Sequence, residues 1–171
     1  MDKPSRTTDD YLEDVRAQVP LYDQLQDAAV AAIPFAPETV LELGIGTGQT
    51  SVRLLERFPG ARITGLDSDP DMIFRARDLV EDVSLARMED PLPDGPWGLT
   101  NDQKQALFRR VRQHSRSFVL GDFVALETGE GRTQVEGTAY PETARGLAEW
   151  SGGEIAWQGD DLVVVAADYR E

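Results

Sequence analysis

Leu21, Leu25, Ala28 and Ala29 recur at the spacing of one helix face. They sit in "DDYLEDVRAQVPLYDQLQDAAVAAI", which reads as two amphipathic helical pieces broken at Pro20. "TVLEL" has a different pattern, a short and mostly apolar run stopped by Gly44, and reads as a buried strand. The helical period returns in "TSVRLLERF" and ends at Pro59-Gly60. "ARITGLD" is the next strand, and "SDPDMIFRARDLVED" the next helix, with Ser68 or Asp69 as N-cap and Pro70 in its first turn. "VSLARM" is a weaker strand. "TNDQKQALFRRVRQ" is a helix opened by a capping box of Thr100 and Gln103. "SFVLGDFVAL" is a strong strand, "PETARGLAEW" a short helix, and "GEIAWQGDDLVVVAADY" a hairpin turning near Gly159-Asp160. Strands alternating with helices and closed by a hairpin predict an α/β fold. Its sheet is doubly wound and mostly parallel, with an antiparallel C-terminal hairpin. The 171 residues suit one domain, a helical lid over residues 1–36 and an α/β core over 37–171.

Composition narrows the partners. Thirty-one acids against 17 bases give a formal net charge of −14, a surface that repels nucleic acid and anionic membranes. With no cysteine there is no disulfide, thiol nucleophile or zinc–thiolate site, and with a single histidine, His114, no His-rich metal site. The stretch "MDKPSRTTDDYLEDVR" lacks the apolar core of a signal peptide, and no apolar run approaches the roughly 20 residues of a membrane span. The expectation is an acidic, cytoplasmic protein without a resident metal.

The candidate chemistry lies in "VLELGIGTGQT". Ligands of such sheets bind beyond the C-terminal ends of the strands, where this glycine loop falls. A phosphate-cradling NTPase loop requires a lysine after its glycines, and none follows here. A dinucleotide loop is spaced GxGxxG, but Gln49 stands where its third glycine belongs. The observed spacing is GxGxG, Gly44, Gly46 and Gly48, with Glu42 two residues before the first glycine. A pyrophosphate disfavours that carboxylate, whereas a ligand bearing a sulfonium and an ammonium does not.

"VLELGIGTG" followed by "ITGLDSDPDMIFRARDL" resembles the opening motifs of the class I S-adenosylmethionine-dependent methyltransferases. The resemblance runs from Tyr11 to about Val124 and implies a Rossmann-like fold, S-adenosyl-L-methionine as cofactor and a small-molecule substrate. By that resemblance Asp67, ending the second strand, takes the ribose hydroxyls through charged hydrogen bonds. Met72 covers the adenine, and Met88 and Glu89 are further adenine candidates, since Arg87 stands near where an acid is common. Arg16 and Tyr22, in "RAQVPLY", close over the cofactor. Glu42, Thr47 and Ser68 complete the cofactor candidates. Tyr11 and Asp122 are candidates for the substrate side. No catalytic base is assigned, and His114 lies at the N-terminal edge of the sheet, away from the ligand face.

One departure from the family bears on function. Relatives carry a fourth strand, next to strand one, between "PLPDGPW" and the helix "TNDQKQALF"; here only Gly98 and Leu99 separate Trp97 from Thr100. A strand takes about five residues. Three arrangements follow: strand one pairs directly with Phe118–Phe123, a partner chain fills the gap (a homodimer being the simplest), or a stretch is missing from the sequence as it stands. Loss of a pocket wall impairs the positioning on which methyl transfer depends. The rival reading is therefore a shortened, catalytically impaired cofactor-binding or assembly module of the same fold.

Overall fold

The computed structural model describes residues 7–85, 101–125 and 142–170. The chain opens with α1 (Thr8–Gln18), capped as a box: the Thr7 hydroxyl accepts from Asp10 N at 3.1 Å, and Thr7 N donates to the Asp10 carboxylate at 3.0 Å. Pro20 cannot continue that helix, and α2 (Tyr22–Ala31) starts afresh.

The first sheet is parallel. β1 (Thr39–Leu43) pairs with β2 (Arg62–Asp67), and β2 with β3 (Asp82–Leu85). The crossovers are α3 (Gln49–Arg57) and α4 (Pro70–Ala76). Right-handed crossovers stepping the same way along a sheet place both helices on one face. The core agrees: Val30 of α2, Leu54 of α3, and Ile73 and Ala76 of α4 pack with Ile45, Ile63 and Val83. On the opposite face Leu41 is 60% exposed.

The second sheet is antiparallel. α5 (Asn101–His114) leads into β4 (Ser117–Phe123), and α6 (Ala144–Ser151) into the hairpin of β5 (Glu154–Gly159) and β6 (Leu162–Asp168). β6 is central, paired with β4 and β5, and Val163, Val164 and Val165 are fully buried. Phe108 of α5 and Leu147 of α6 pack with Val163 and Val165 on one face. Asp160, in the turn, takes φ 50°, a left-handed conformation that Asp adopts more readily than most residues.

The α/β class is as the pattern predicts, but the sheet is divided. The direct pairing of β1 with Phe118–Phe123 does not form. β4 instead takes its whole ladder from β6, from Ser117↔Asp168 to Phe123↔Leu162. Among the described residues no strand pairs with the outer edge of β1. The stretch 91–100, where the fourth strand is judged absent, lies outside the described residues, as does Thr100 of the predicted capping box. α2 touches both sheets' layers: Asp23 and Asp27 bind Arg53 of α3 at 2.6 and 2.8 Å, while Leu25 lies against Gly121 of β4.

Smaller differences have local causes. α4 stops at Ala76 rather than near Asp82, because the chain turns at Arg77–Leu79 to enter β3 alongside β2. Its N-cap is Asp69, which accepts from Asp71 N at 2.8 Å. β3, Asp82–Leu85, opens one residue before the predicted Val83, residues 86–88 of the predicted strand lie outside the described residues, and β4 ends at Phe123. α6 begins at Ala144, since Thr143 is spent as the cap, its hydroxyl accepting from Gly146 N at 3.1 Å.

Candidate functional site

The glycine loop leaves β1 and is tied to the end of β2. Gly44 N and Ile45 N both donate to the Leu66 carbonyl, at 2.8 and 3.0 Å. Ile45 is buried and lies on Gly65, where an added Cβ would collide with its side chain. The loop then turns through Gly46 at φ 55° and Gly48 at φ 83°, both in the left-handed region that favours glycine. Gly48 is the N-cap of α3, and the space a Cβ would enter at Gly46 is open.

Asp67 closes the arrangement from β2. One carboxylate oxygen accepts from Gly46 N at 2.8 Å and the other from Asp69 N at 3.0 Å. Each oxygen retains a second lone pair, so the carboxylate is oriented yet able to accept from a ligand. Ser68 and Met72, on the same rim, are half-buried. Beneath the loop Glu42 accepts a short hydrogen bond from the Ser51 hydroxyl of α3. Burial pushes the Glu42 carboxyl up to about 7 from 4.5, and the Ser51 bond pulls against that rise. Thr47 is 3% exposed and its hydroxyl has no partner among the described residues.

The lid contributes two tyrosines. Burial raises the Tyr11 hydroxyl's pKa, and the negative charges of Asp67 and Asp69 raise it further, which puts Tyr11 within electrostatic reach of the β2 end. Tyr22 is likewise raised by burial, then by Tyr11, while a hydrogen bond with the Gln26 side chain pulls it down. Arg16 is more exposed; its guanidinium binds Asp23 at 2.8 and 3.2 Å.

The other candidates lie elsewhere or outside the described residues. Asp122 is buried in β4 and ion-paired with the buried Lys104 of α5 at 2.9 Å. Such a pair fixes α5 on β4, and breaking it leaves an uncompensated buried charge. Met88 and Glu89 lie outside the described residues. His114 is exposed at the end of α5, just before β4 begins, on the edge remote from the loop. Sequence reasoning missed Ser51 and Gln26. For Gln26 the signal was present, a polar residue four positions from Tyr22 on the inward side of a helix.

A parallel sheet with a GxGxG loop after its first strand and a carboxylate ending its second defines a nucleoside-binding fold. Residues 40–92 match the family described as a methyltransferase domain. A trans-aconitate 2-methyltransferase of Escherichia coli is 49% identical over 45 residues, 26% of this chain and 18% of that protein. One of Streptomyces avermitilis is 41% identical over 75 residues, 43% of this chain and 27% of that protein. The structure of human N-acetylserotonin methyltransferase in complex with S-adenosylmethionine superposes with a TM-score of 0.67 at 15% identity, over 95% of this chain and 56% of that one. The matched stretches thus span less than a third of those relatives, and the chain little more than half of the solved neighbour. Over residues 40–92 the chain is thus similar to the methyltransferase domain family, and its fold is similar to that of the S-adenosylmethionine-dependent methyltransferase superposed on it.

Proposed function

We propose that this chain binds S-adenosyl-L-methionine in the glycine-loop site and transfers the cofactor's methyl group to a small-molecule acceptor, as a cytoplasmic protein. The observation that carries the reading is the joint between loop and carboxylate: Gly46 N on Asp67 at 2.8 Å, with open space over Gly46. Asp67 takes the ribose hydroxyls, Met72 covers the adenine, for which Met88 and Glu89 are further candidates, and Ser68 lines the rim. Gly44, Gly46, Thr47 and Gly48 pass under the aminoacyl arm. Glu42 sets a carboxylate beneath a ligand that bears a sulfonium and an ammonium, and Arg16, Tyr22 and Tyr11 belong to the lid above it. The bound cofactor supplies the electrophilic methyl; the protein's part is to hold it in line with the acceptor.

The substrate in the names of the two relatives, trans-aconitate, is not carried over to this chain. The family match ends at residue 92, on the cofactor side, and the described part of the substrate side offers Asp122 already paired with Lys104. A second reading, a cofactor-binding module impaired in catalysis, is favoured by the outer edge of β1, unpaired among the described residues, beside an exposed Leu41. A strand from a second copy of the chain at that edge is the homodimeric form of either reading.

Calorimetry with S-adenosylhomocysteine and with NAD tests cofactor choice. Release of S-adenosylhomocysteine from S-adenosylmethionine over a panel of carboxylate- and hydroxyl-bearing acceptors tests turnover. Binding of the homocysteine ligand with acceptor-dependent release supports methyl transfer. Binding without release for any acceptor moves the conclusion to the second reading, and binding of NAD alone overturns both.

A further inference from the structure

Gln26 is buried, 7% exposed, and its side-chain carbonyl oxygen accepts no hydrogen bond among the described residues. Its side chain lies near enough to Tyr22 to lower that hydroxyl's pKa, and Tyr22 is within electrostatic reach of Tyr11, as Tyr11 is of Asp67. A buried carbonyl without a donor is destabilising in the free protein, so its retention points to a donor that arrives with a ligand. The position of Gln26 on α2 says where. Successive helix residues are rotated by about 100°. Leu21 and Leu25 form the stripe that lies against Gly159 of β5 and Gly121 of β4. Asp23 and Asp27 form the stripe bound to Arg53 of α3. Gln26 falls between the two, facing the interval between the parallel sheet and β4.

This placement fixes which end of a ligand it meets. The strand order runs β3, β2, β1, and Asp67 ends β2, whereas β4 belongs to the other sheet. A cofactor with its ribose on Asp67 and its middle over the glycine loop directs the end remote from the ribose towards the β4 side. In S-adenosylmethionine that end is the aminoacyl group, whose ammonium donates three hydrogen bonds and whose carboxylate donates none. We propose that Gln26 is a cofactor-binding residue, its carbonyl accepting a hydrogen bond from the ammonium of the aminoacyl arm. The unpartnered Thr47 hydroxyl, 3% exposed in the loop itself, is a second polar atom left open on the same path. The assignment rests on the cofactor reading above and adds to it a residue outside the glycine loop and the β2 end.

Calorimetry with two ligands separates this role from a structural one. S-adenosylhomocysteine carries the aminoacyl arm; 5′-methylthioadenosine keeps the adenosyl and sulfur but lacks it. Gln26→Leu should bind S-adenosylhomocysteine about ten- to a hundredfold more weakly, as for loss of a hydrogen bond to a charged group, and bind 5′-methylthioadenosine as the wild type does. Gln26→Glu, which keeps an acceptor and adds charge, should bind S-adenosylhomocysteine at least as well as the wild type. The free Gln26→Leu protein should melt no lower than the wild type, since it loses a buried unsatisfied group. Equal weakening of both ligands, or no weakening of either, overturns the role of Gln26 and leaves the cofactor site standing. Wild-type binding of neither ligand overturns the cofactor reading and this inference with it.

Discussion

Glu42 is held in the folded chain with a carboxyl pKa near 7, against 4.5 ordinarily, because burial disfavours its charged form. The native state therefore keeps a proton that the unfolded chain has released between about pH 4.5 and 7. Stability tied to that proton is fully present below pH 4.5 and is lost as pH rises through 7, a contribution of up to about 3 kcal/mol. Glu42→Gln, which can keep the Ser51 bond, should be the more stable protein at pH 8 and lose that advantage by pH 4.5; urea midpoints across this range check it. A bound cationic cofactor has the opposite preference, since it stabilises the ionised carboxylate. Affinity of the wild type for S-adenosylmethionine should rise from pH 6 to pH 8, and that of Glu42→Gln should stay flat. A steeper rise in the variant would remove Glu42 from the site. Asp67 and His114 offer a simpler contrast. Asp67 orients the loop through Gly46, while His114 is exposed beyond the far edge of β4. Asp67→Ala should weaken S-adenosylhomocysteine binding by about 1.5–3 kcal/mol and His114→Ala by nothing measurable; comparable losses in calorimetry would mean that the sheet's polarity is misassigned.

Among the elements, the loop and β2 are closely fitted at their joint. Gly65 sits in mid-strand, where glycine is disfavoured, and the reason is Ile45, whose side chain occupies the space of the missing Cβ. Gly65→Ala should cost about 1–3 kcal/mol as overpacking, and because Ile45 belongs to the glycine loop, it should weaken cofactor binding as well. A thermal melt paired with calorimetry tests the coupling; a stability loss with unchanged affinity would mean that the loop moves independently of β2. The sequence announced this joint in part. "LGIGTG" and "GLD" gave the loop, the carboxylate and the strands, because glycine spacing and apolar runs are local signals. Asp69 as cap and Pro70 at the first turn were legible for the same reason. The length of α4 was not, because Arg77–Leu79 keep a helical composition and turn only to bring β3 beside β2, a tertiary demand. The Lys104–Asp122 pair was equally invisible, since its partners lie on different elements and meet only when α5 packs on β4. Gln26 needed both the burial and the missing partner to be recognised.

At the scale of the molecule, two three-stranded sheets share α2, where the sequence had left direct pairing of β1 with β4 as one of three arrangements. Apolar runs such as "VLEL" report burial but not neighbours, so they could not choose between pairing in one sheet and packing in two. The consequence can be read amide by amide. Arg62 N donates to the Glu38 carbonyl and Gly44 N to the Leu66 carbonyl, so Glu38 and Gly44 turn their backbone groups towards β2. With a period of two, Val40 and Glu42 do the same, and Thr39, Leu41 and Leu43 present theirs to the outer edge. Val163, Val164 and Val165 of β6 lie instead between two strands and are fully buried. Hydrogen exchange at micromolar protein in low salt should find the amides of Thr39, Leu41 and Leu43 among the fast ones in the sheets, and those of Val163–Val165 near the global limit. The net charge of −14 opposes self-association under these conditions, so a second copy should not mask the edge. Raising the salt screens that repulsion. If the three β1 amides then slow in proportion to protein concentration while β6 is unchanged, a strand of a second copy completes the sheet, and the substrate wall is built between chains. If they are slow at every concentration and salt, the edge is covered from within the chain, the open edge is refuted, and the impaired-module reading loses the observation that favours it.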